Sequence, residues 1–485
     1  MGVTVRRGYS NLDVMMKKID IIGGGLAGSE AALQLAHRGY SVRLFEMRPF
    51  ATTGVHQGDD FAELVCSNSL KSTKSDSAAG MLKYELESLG SFLLELAYRH
   101  RVPAGGALAV DRKAFSRAVT EAILAQNNIT CVRAEVTGIT VEGFLEIRGE
   151  GQDESHPLGD KADAILVASG PLTSDDLASS LQRITGCEYL SFYDAAAPIV
   201  FADSLDRDTV FRQSRYEDDQ PGDYLNAPFD KDAYEHFIDE LIRAECVIKK
   251  EFETRDLFQA CQPIEEIARK GFDAPRFGPL KPVGLRDPST GHRPWAVVQL
   301  RAEDAHRQSY NLVGFQTNLT FPEQKRVFRL IPGLAEAEFA RYGVMHRNTF
   351  LDAPHLLDES LRLKAPLSQP VPPLFVAGQL GGTEGYCEAI ASGVVACLGI
   401  VAHLCDLPFE PLPSQSAFGA LLSYATSSQT QDYQPMHVNF GIMEPLESRI
   451  RNKRERYAAY ALRGKSAIDA YADRLRQVGL LGDER

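Results

Sequence analysis

Two cysteines stand where a thiol could act as a nucleophile. Cys261 lies in Leu257-Phe-Gln-Ala-Cys-Gln-Pro-Ile-Glu265, beside the helix-breaking Pro263 and close to the cations that follow. Cys66 lies in Leu64-Val-Cys-Ser-Asn-Ser-Leu-Lys71, which reads as a polar loop before a helix. Nearby positive charge or free backbone N–H groups lower a thiol pKa. A thiol at its ordinary pKa of about 8.5 is only a few per cent thiolate at pH 7, whereas one near 7 is about half ionised, roughly a fifteenfold gain. Cys131, Cys187, Cys246, Cys397 and Cys405 read as buried, inert thiols, and Cys387 as a packing residue in a glycine-rich turn. The eight cysteines form no C-x-x-C pair and have no histidine at zinc-finger spacing. Neither a structural metal nor a disulfide framework is expected, and a reducing cytoplasm fits. His346 and Arg347, in Gly343-Val-Met-His-Arg-Asn-Thr-Phe350, lack metal-ligand spacing and are candidates only for a place near substrate.

The elements that must position such groups begin at Ile19. Ile19 to Glu46, IDIIGGGLAGSEAALQLAHRGYSVRLFE, reads as strand, glycine-rich turn, helix and second strand. Gly23, Gly25 and Gly28 fit G-x-G-x-x-G, with Gly24, Leu26 and Ala27 between them. The first glycine permits the tight turn, the second lets pyrophosphate approach the backbone, and the third lets helix pack on strand. Glu46 ends the second strand at ribose-binding distance, and a carboxylate there favours FAD or NAD over NADP. A Walker loop is excluded because Ser29, not Lys, follows Gly28. A second strand, glycine turn and helix occurs late, in PPLFVAGQLGGTEGYCEAIASG from Pro372 to Gly393. Gly378, Gln379, Glu384 and Gly385 belong to this turn, and the helix after it again offers an N-terminus to a phosphate or ring oxygen. One glycine turn suits NAD equally. Two, separated by most of the chain, favour FAD, as in flavoproteins that resemble glutathione reductase.

With 485 residues, two or three packed units are expected. Ser77 to Ala97 places Leu82, Leu86, Leu89, Leu93 and Leu96 at helical spacing, predicting one amphipathic helix. Ile129 to Ile147 suggests short strands, and Ala164 to Gly170 a buried strand entering a glycine turn. The composition changes from Ala197 to Phe328, with Asp- and Tyr-rich loops, a helical stretch at Asp232 to Phe252 and a Pro/Gly-rich run from Phe277 to Pro294. The expected fold is α/β, a Rossmann-like FAD-binding domain of glutathione-reductase type interrupted by a smaller α+β inserted domain. Its divisions are residues 1–18 as an N-terminal extension, 19–196 and 329–485 as the two parts of the FAD domain, and 197–328 as the insertion. The first eighteen residues lack the apolar core of a secretory signal, and the true start could be Met15 or Met16. Ala389 to Leu404 is shorter than the twenty or so residues of a membrane span and reads as a buried helix. The net charge of −13 argues against nonspecific polyanion binding, and neither DNA nor a membrane is an expected partner. Two local patches run against that sum. Arg449 to Arg456, RIRNKRER, at the head of a basic C-terminal helix, holds five basic residues against one acid. Arg269 to Arg293 holds six against Asp273 and Asp287.

The strings GGGLAGSEAA, VCSNSLKS, VPAGGALAVDR, FGPLKPVGL, GFQTNLTFPEQKRVFRLIPGL, GVMHRNTF, EGYCEAIASG and HVNFGIMEPL resemble the folate-dependent, FAD-using tRNA (uracil-5-)-methyltransferases of bacteria. The resemblance runs from about Ile19 to the C-terminal region. It departs at Ala260-Cys261-Gln262-Pro263, where the family usually has Gly-Cys-Met-Pro, and at Gly381-Gly382-Thr383-Glu384, where it usually has Thr-Gly-Val-Glu. It implies a methyltransferase that forms 5-methyluridine at the T-loop uridine of tRNA. Methylenetetrahydrofolate would be the one-carbon donor, reduced FAD the carrier and reductant, and NAD(P)H the source of electrons. It also implies that Cys261 and Cys66 share the roles of nucleophile and general acid/base or auxiliary thiol, in an order left open. Gly23 to Gly28, Glu46, Gly378, Gln379, Glu384 and Gly385 would hold the cofactor. The residues themselves leave two alternatives: the same chemistry on ribosomal RNA, or a flavin-dependent oxidoreductase or FAD-stabilised RNA-binding protein without methyl transfer.

Overall fold

The computed structural model describes residues 17–53, 55–65, 69–187, 190–195, 197–216, 222–247, 262–304, 306–364, 367, 371–430 and 433–481; for 190–195 and 345–347 only the backbone is described. A five-stranded parallel sheet forms the centre of the larger unit, in the order Leu374–Val376, Ala164–Val167, Lys18–Ile22, Ser41–Glu46, Ile129–Arg133. Parallel strands need crossover connections and are buried on both faces, which accounts for the unbroken apolar run Ala164–Val167; in Lys18–Ile22 the one buried acid, Asp20, is paired with Arg43 of the neighbouring strand at 2.6 Å. Helix Leu26–His37 makes the first crossover. It lies against helix Tyr386–Leu404 so closely that a Cβ on Gly393 would stand 2.4 Å from the Ala27 carbonyl oxygen. Helix Tyr386–Leu404 is long and apolar enough for a bilayer, but 89% of its most apolar window is buried within the fold, which makes it a core helix here.

The stretch Ser77 to Ala97 forms two helices, Ala78–Ser88 and Phe92–Arg99, rather than the single helix that its leucine spacing predicts. Gly90 takes φ +69°, and the Ser91 hydroxyl caps the second helix by accepting from the Leu94 N–H. The leucines keep one buried side across the corner because both helices pack on the same core. Two buried carboxylates join these helices to their neighbours. Glu30 accepts from Ser91 Oγ and from the N–H groups of Phe92 and Leu93. Glu85 accepts from the N–H groups of Ala417 and Phe418, the first turn of helix Ala417–Thr426.

The chain crosses to a second unit through an antiparallel ribbon, Leu190–Ala195 with Met345–Phe350. That unit is an antiparallel sheet ordered Phe211–Arg212, Leu225–Phe229, Ala296–Ala302, Ser309–Leu312, Ile199–Phe201, Phe339–Arg341. Its own core includes Phe237 and Ile238 of helix Lys231–Arg243, Ile264 of helix Ile264–Lys270, and Phe328 of helix Phe321–Phe328. The last strand, Phe339–Arg341, lies past Phe328, where the change in composition suggests a boundary; a half-buried edge strand of mixed residues gives no compositional signal. The units meet through Arg112 and Glu303 at 3.0 Å, Tyr224 Oη donating to the Ala104 carbonyl, and Arg341 donating to the Val65 carbonyl.

Candidate functional site

The first glycine turn has the geometry a dinucleotide needs. Gly23 takes φ +103°, and a Cβ there would stand 2.5 Å from the Ala168 carbonyl oxygen. A Cβ on Gly28 would stand 2.0 Å from the Gly23 oxygen, so only glycine lets the helix sit this close to the strand. Beside Gly25 there is nothing within 4 Å, and the helix it begins has no side-chain cap and no acid in its first turn. That end is left as a seat for an anion. Glu46 Oε2 accepts from the Gly24 N–H at 3.1 Å, and Oε1 accepts from Arg48 N and Nε at 3.1 and 2.9 Å. Burial opposes ionisation of Glu46, but the hydrogen bond and charge of Arg48 outweigh it, so the pKa lies below the usual carboxylate value. The cleft here is lined by Gly23, Gly24, Gly25, Glu46, Val136 and Ser169.

The second turn abuts the first. Gly378, Gly382 and Gly385 take φ +77°, +85° and +120°, and a Cβ on Gly378 would touch Ala27 Cβ at 3.3 Å. Ser392 Oγ accepts from the Gly378 N–H, Thr383 Oγ1 donates to the Gly378 carbonyl, and Gln379 Nε2 donates to both oxygens of Glu384 at 2.7 Å. Around this turn, buried polar atoms lack partners among the described residues: both amide atoms of Asn348, Glu388 Oε2 and Tyr433 Oη. Buried polar groups are ordinarily satisfied, so these atoms mark a place for a polar ligand. Two glycine turns, an uncapped helix end, a buried carboxylate at the end of the second strand and unpaired polar atoms fit FAD, which Gly23 to Gly28 and Glu46 could hold by its nucleotide half and Gly378, Gln379, Glu384 and Gly385 by its flavin half.

Cys66 and Cys261 lie outside the described residues, but the chain on either side of them is anchored. After Cys66, the buried Lys83 donates its Nζ to the carbonyls of Leu70, Ser72 and Ala79. Lys71 pairs with the fully buried Glu388 at 3.0 Å, placing an ammonium beside Gly385. Before Cys261, Val247 N–H donates to Asn318 O; after it, Ile264 N–H donates to Gln316 O. The Glu265 carboxylate accepts from Asn318 N at 2.6 Å and Thr317 Oγ1 at 3.0 Å, and burial pushes its pKa up to about 7. Sequence reasoning missed Lys71, Lys83, Glu265 and Glu388, since a charged residue next to a loop looks exposed until the fold buries it. Among the other thiols, burial raises the pKa of Cys131, Cys246 and Cys387 and pushes Cys397 up to about 11. The side chains of His346 and Arg347 lie outside the description.

The two basic patches differ. In the inserted unit Arg269 pairs with Glu266, and Arg276 pairs with Asp273 and lies on the Trp295 ring at 3.6 Å. Of the C-terminal patch, Arg449, Arg451, Lys453 and Arg454 are exposed, and none has an ion pair among the described residues. Helix Lys453–Gln477 starts here, capped by Asn452. Phe440 stacks on its Tyr457 at 4.0 Å, and Val438, two residues before Phe440, donates its N–H to Glu388, which ties the basic end to the second glycine turn.

Fold and site together define a dinucleotide-binding protein of the two-turn flavoprotein type, its nucleotide domain split by an inserted α+β unit. Residues 18–407 match the model of the family described as "GIDA: Glucose inhibited division protein A". The chain belongs to this family, on the branch of the methylenetetrahydrofolate–tRNA-(uracil-5-)-methyltransferases. It is 50% identical to Methylenetetrahydrofolate--tRNA-(uracil-5-)-methyltransferase TrmFO of Synechococcus sp. (strain JA-3-3Ab), over 93% of this chain and 95% of that protein. It is 49% identical to the protein of the same name in Solibacter usitatus, over 94% and 98%. Two crystal forms of Aquifex aeolicus GidA superpose with a TM-score of 0.68 at 16% and 17% identity, covering 96% of this chain and 74% and 76% of those chains, which shows the shared fold.

Proposed function

We propose that this chain is a folate-dependent methyltransferase that forms 5-methyluridine at the T-loop uridine of tRNA. What carries the reading is identity near one half, over more than nine-tenths of the chain, to proteins named for this reaction on tRNA. Bound FAD supplies the two electrons that turn a transferred methylene into a methyl group and carries the carbon, with NAD(P)H as its reductant. The protein's part begins with the uracil. C5 of uracil is a poor nucleophile, and a thiolate adding at C6 makes it enolate-like. C5 then bonds to the one-carbon unit derived from methylenetetrahydrofolate, and loss of the C5 proton to a base expels the nitrogen that carried that carbon, leaving an exocyclic methylene. Hydride completes the methyl group, and expulsion of the thiolate restores the ring. Cys261 and Cys66 are the thiols for nucleophile and proton handling. The target base must leave its stack to reach them, at a cost of about a few kcal/mol. The chemistry needs Cys66 and Cys261 as free thiols, a state that a reducing cytoplasm maintains.

The test is to incubate the FAD-loaded protein with NADPH, methylenetetrahydrofolate and unmodified tRNA and to measure 5-methyluridine. NADPH consumption without the modified base overturns the reading. Cys261→Ala should keep its yellow FAD and lose methylation; unchanged methylation removes Cys261 from the chemistry.

A further inference from the structure

Among the described residues, the two most exposed large apolar side chains are Phe277, at 82%, and Tyr216, at 74%. Both belong to one small region of the inserted unit. Phe277 ends the short helical turn Ala274–Phe277 and leads into Gly278-Pro-Leu-Lys-Pro-Val-Gly-Leu-Arg286. Tyr216 donates its N–H to the Gly284 carbonyl at 2.9 Å, and its ring covers Gly284 so closely that a Cβ there would stand 2.9 Å from it. Along the chain from Phe277 past Gly284, the residue Tyr216 covers, Lys281, Arg286 and Arg293 are exposed and have no ion pair among the described residues. Among the described residues, the acids nearby are engaged elsewhere: Asp273 with Arg276, Asp287 with the N–H and hydroxyl of Ser289, and Asp223 with the Gly105 N–H; Glu217, Asp218 and Asp219, which follow Tyr216 in the sequence, lie outside the described residues.

The region is also rigid. Arg215 donates to the Val283 carbonyl at 2.7 Å and to Gln299 Oε1 at 2.8 Å, and Gln213 Oε1 accepts from the Arg286 N–H. Leu280 is fully buried, its N–H donating to the Pro275 carbonyl and its own carbonyl accepting from Val297. Tyr216 holds a left-handed φ of +65°, a conformation that persists only where its surroundings enforce it. These aromatics are therefore held out in solvent by a braced loop, not left there by a loose one. Rings alternating with unpaired cations on a rigid surface match unpaired nucleic-acid bases: each base presents a face to an aromatic ring, and its phosphate meets Lys or Arg.

We infer that Tyr216, Phe277, Lys281 and Arg286 form a base-stacking platform that holds unpaired nucleotides of the tRNA substrate. This rests on the tRNA reading above. Duplex RNA, its bases stacked on one another, would not use the rings, so the platform serves loop nucleotides. A braced platform loses little freedom on binding, which favours affinity.

The experiment measures binding of unmodified tRNA to the FAD-loaded protein across a series of salt concentrations, for wild type, Tyr216→Ala, Phe277→Ala and the pair Lys281→Gln/Arg286→Gln. Each aromatic truncation should weaken binding by about five- to a hundredfold with an unchanged salt slope. Phe277→Tyr should restore it. The lysine and arginine replacements should instead make the log–log salt dependence shallower by about 0.7 to 0.9 for each phosphate left without its cation. Retained FAD and an unchanged melting temperature show that the surface variants fold. Wild-type affinity in both alanine variants overturns the platform, as does a change in oligomeric mass caused by them, which would make this face a protein–protein contact. Failure of the wild type to bind or methylate tRNA overturns the substrate reading instead.

Discussion

Replacing Glu46 with glutamine separates two jobs done by one carboxylate. Glu46 is 7% exposed and accepts three hydrogen bonds, one from Gly24 and two from Arg48. On the proposed reading, it would also accept from the ribose hydroxyls of FAD. A hydrogen bond to a charged group contributes about 1.5–3 kcal/mol, and a glutamine oxygen keeps one neutral bond of about 1 kcal/mol, so two ribose bonds reduced to one should cost about 2–5 kcal/mol of FAD binding. That is at least about 30-fold and up to about 4000-fold in dissociation constant. The free protein should lose less. Arg48 is 2% exposed, but it keeps Glu63 at 2.8 Å and the Gly58 carbonyl after Glu46 is neutralised. The cost should therefore fall to about 1–2 kcal/mol, short of the 3–5 kcal/mol of a buried charge with no partner left.

Stripping the flavin and titrating FAD back, with fluorescence quenching as the signal, measures the first quantity; denaturant unfolding of the stripped protein measures the second. FAD affinity within threefold of wild type, together with a destabilised apoprotein, would show that Glu46 serves only as the counter-ion of Arg48, and the ribose assignment would be wrong. Because the folded-state pKa of Glu46 is depressed, its stabilisation is complete above the unfolded carboxylate value and is lost as pH falls through the lower folded one. The comparison is therefore insensitive to pH between about 6 and 8.

Gly382→Ala places a Cβ 1.5 Å from Tyr433 Oη at φ +85°, so the variant should melt about 1–3 kcal/mol less stably and retain less FAD, and adding Tyr433→Phe should recover part of both; full FAD retention in the single variant would contradict the packing. Burial pushes the Glu85 pKa up to about 7, so the folded chain takes up a proton there that the unfolded chain has lost. Its contribution is full below the unfolded value near 4.5, declines by up to about 3 kcal/mol as pH rises to 7, and is level above that. Glu85→Gln should flatten this part of the pH–stability curve, and parallel curves for variant and wild type would show that the carboxyl is ionised in the fold.

The sequence displays what repeats or what bends. Strands Lys18–Ile22 and Ser41–Glu46, the helix between them and the glycine turn at Gly378 to Gly385 are legible because buried strands concentrate Ile, Val, Leu and Phe and because positive φ selects glycine. Hidden features depend on distant neighbours. The break at Leu89-Gly-Ser91 lies within a leucine spacing that satisfies one helix or two, and only the cap formed by Ser91 and Glu30 decides between them. Nothing within their own helices marks Lys83 and Glu388 as buried charges. Their burial follows from carbonyls and cations that the chain delivers from other segments.

Ala27 shows how the two legible motifs become one site. Within G-x-G-x-x-G it occupies a free position, and nothing in the first turn alone requires it to be small. In the fold, its Cβ lies 3.3 Å from where a Cβ on Gly378 would be, and its carbonyl oxygen lies 2.4 Å from the corresponding position on Gly393. Both glycines belong to the late strand–turn–helix segment, more than three hundred residues away. Helix Tyr386–Leu404 can press against helix Leu26–His37 only because all three positions are small, and that contact sets the second glycine turn beside the first. A larger residue at Ala27 would leave the nucleotide-binding turn intact and push the flavin-side turn away from it. The late glycines are therefore needed twice, once for their own backbone angles and once for the approach of the two helices.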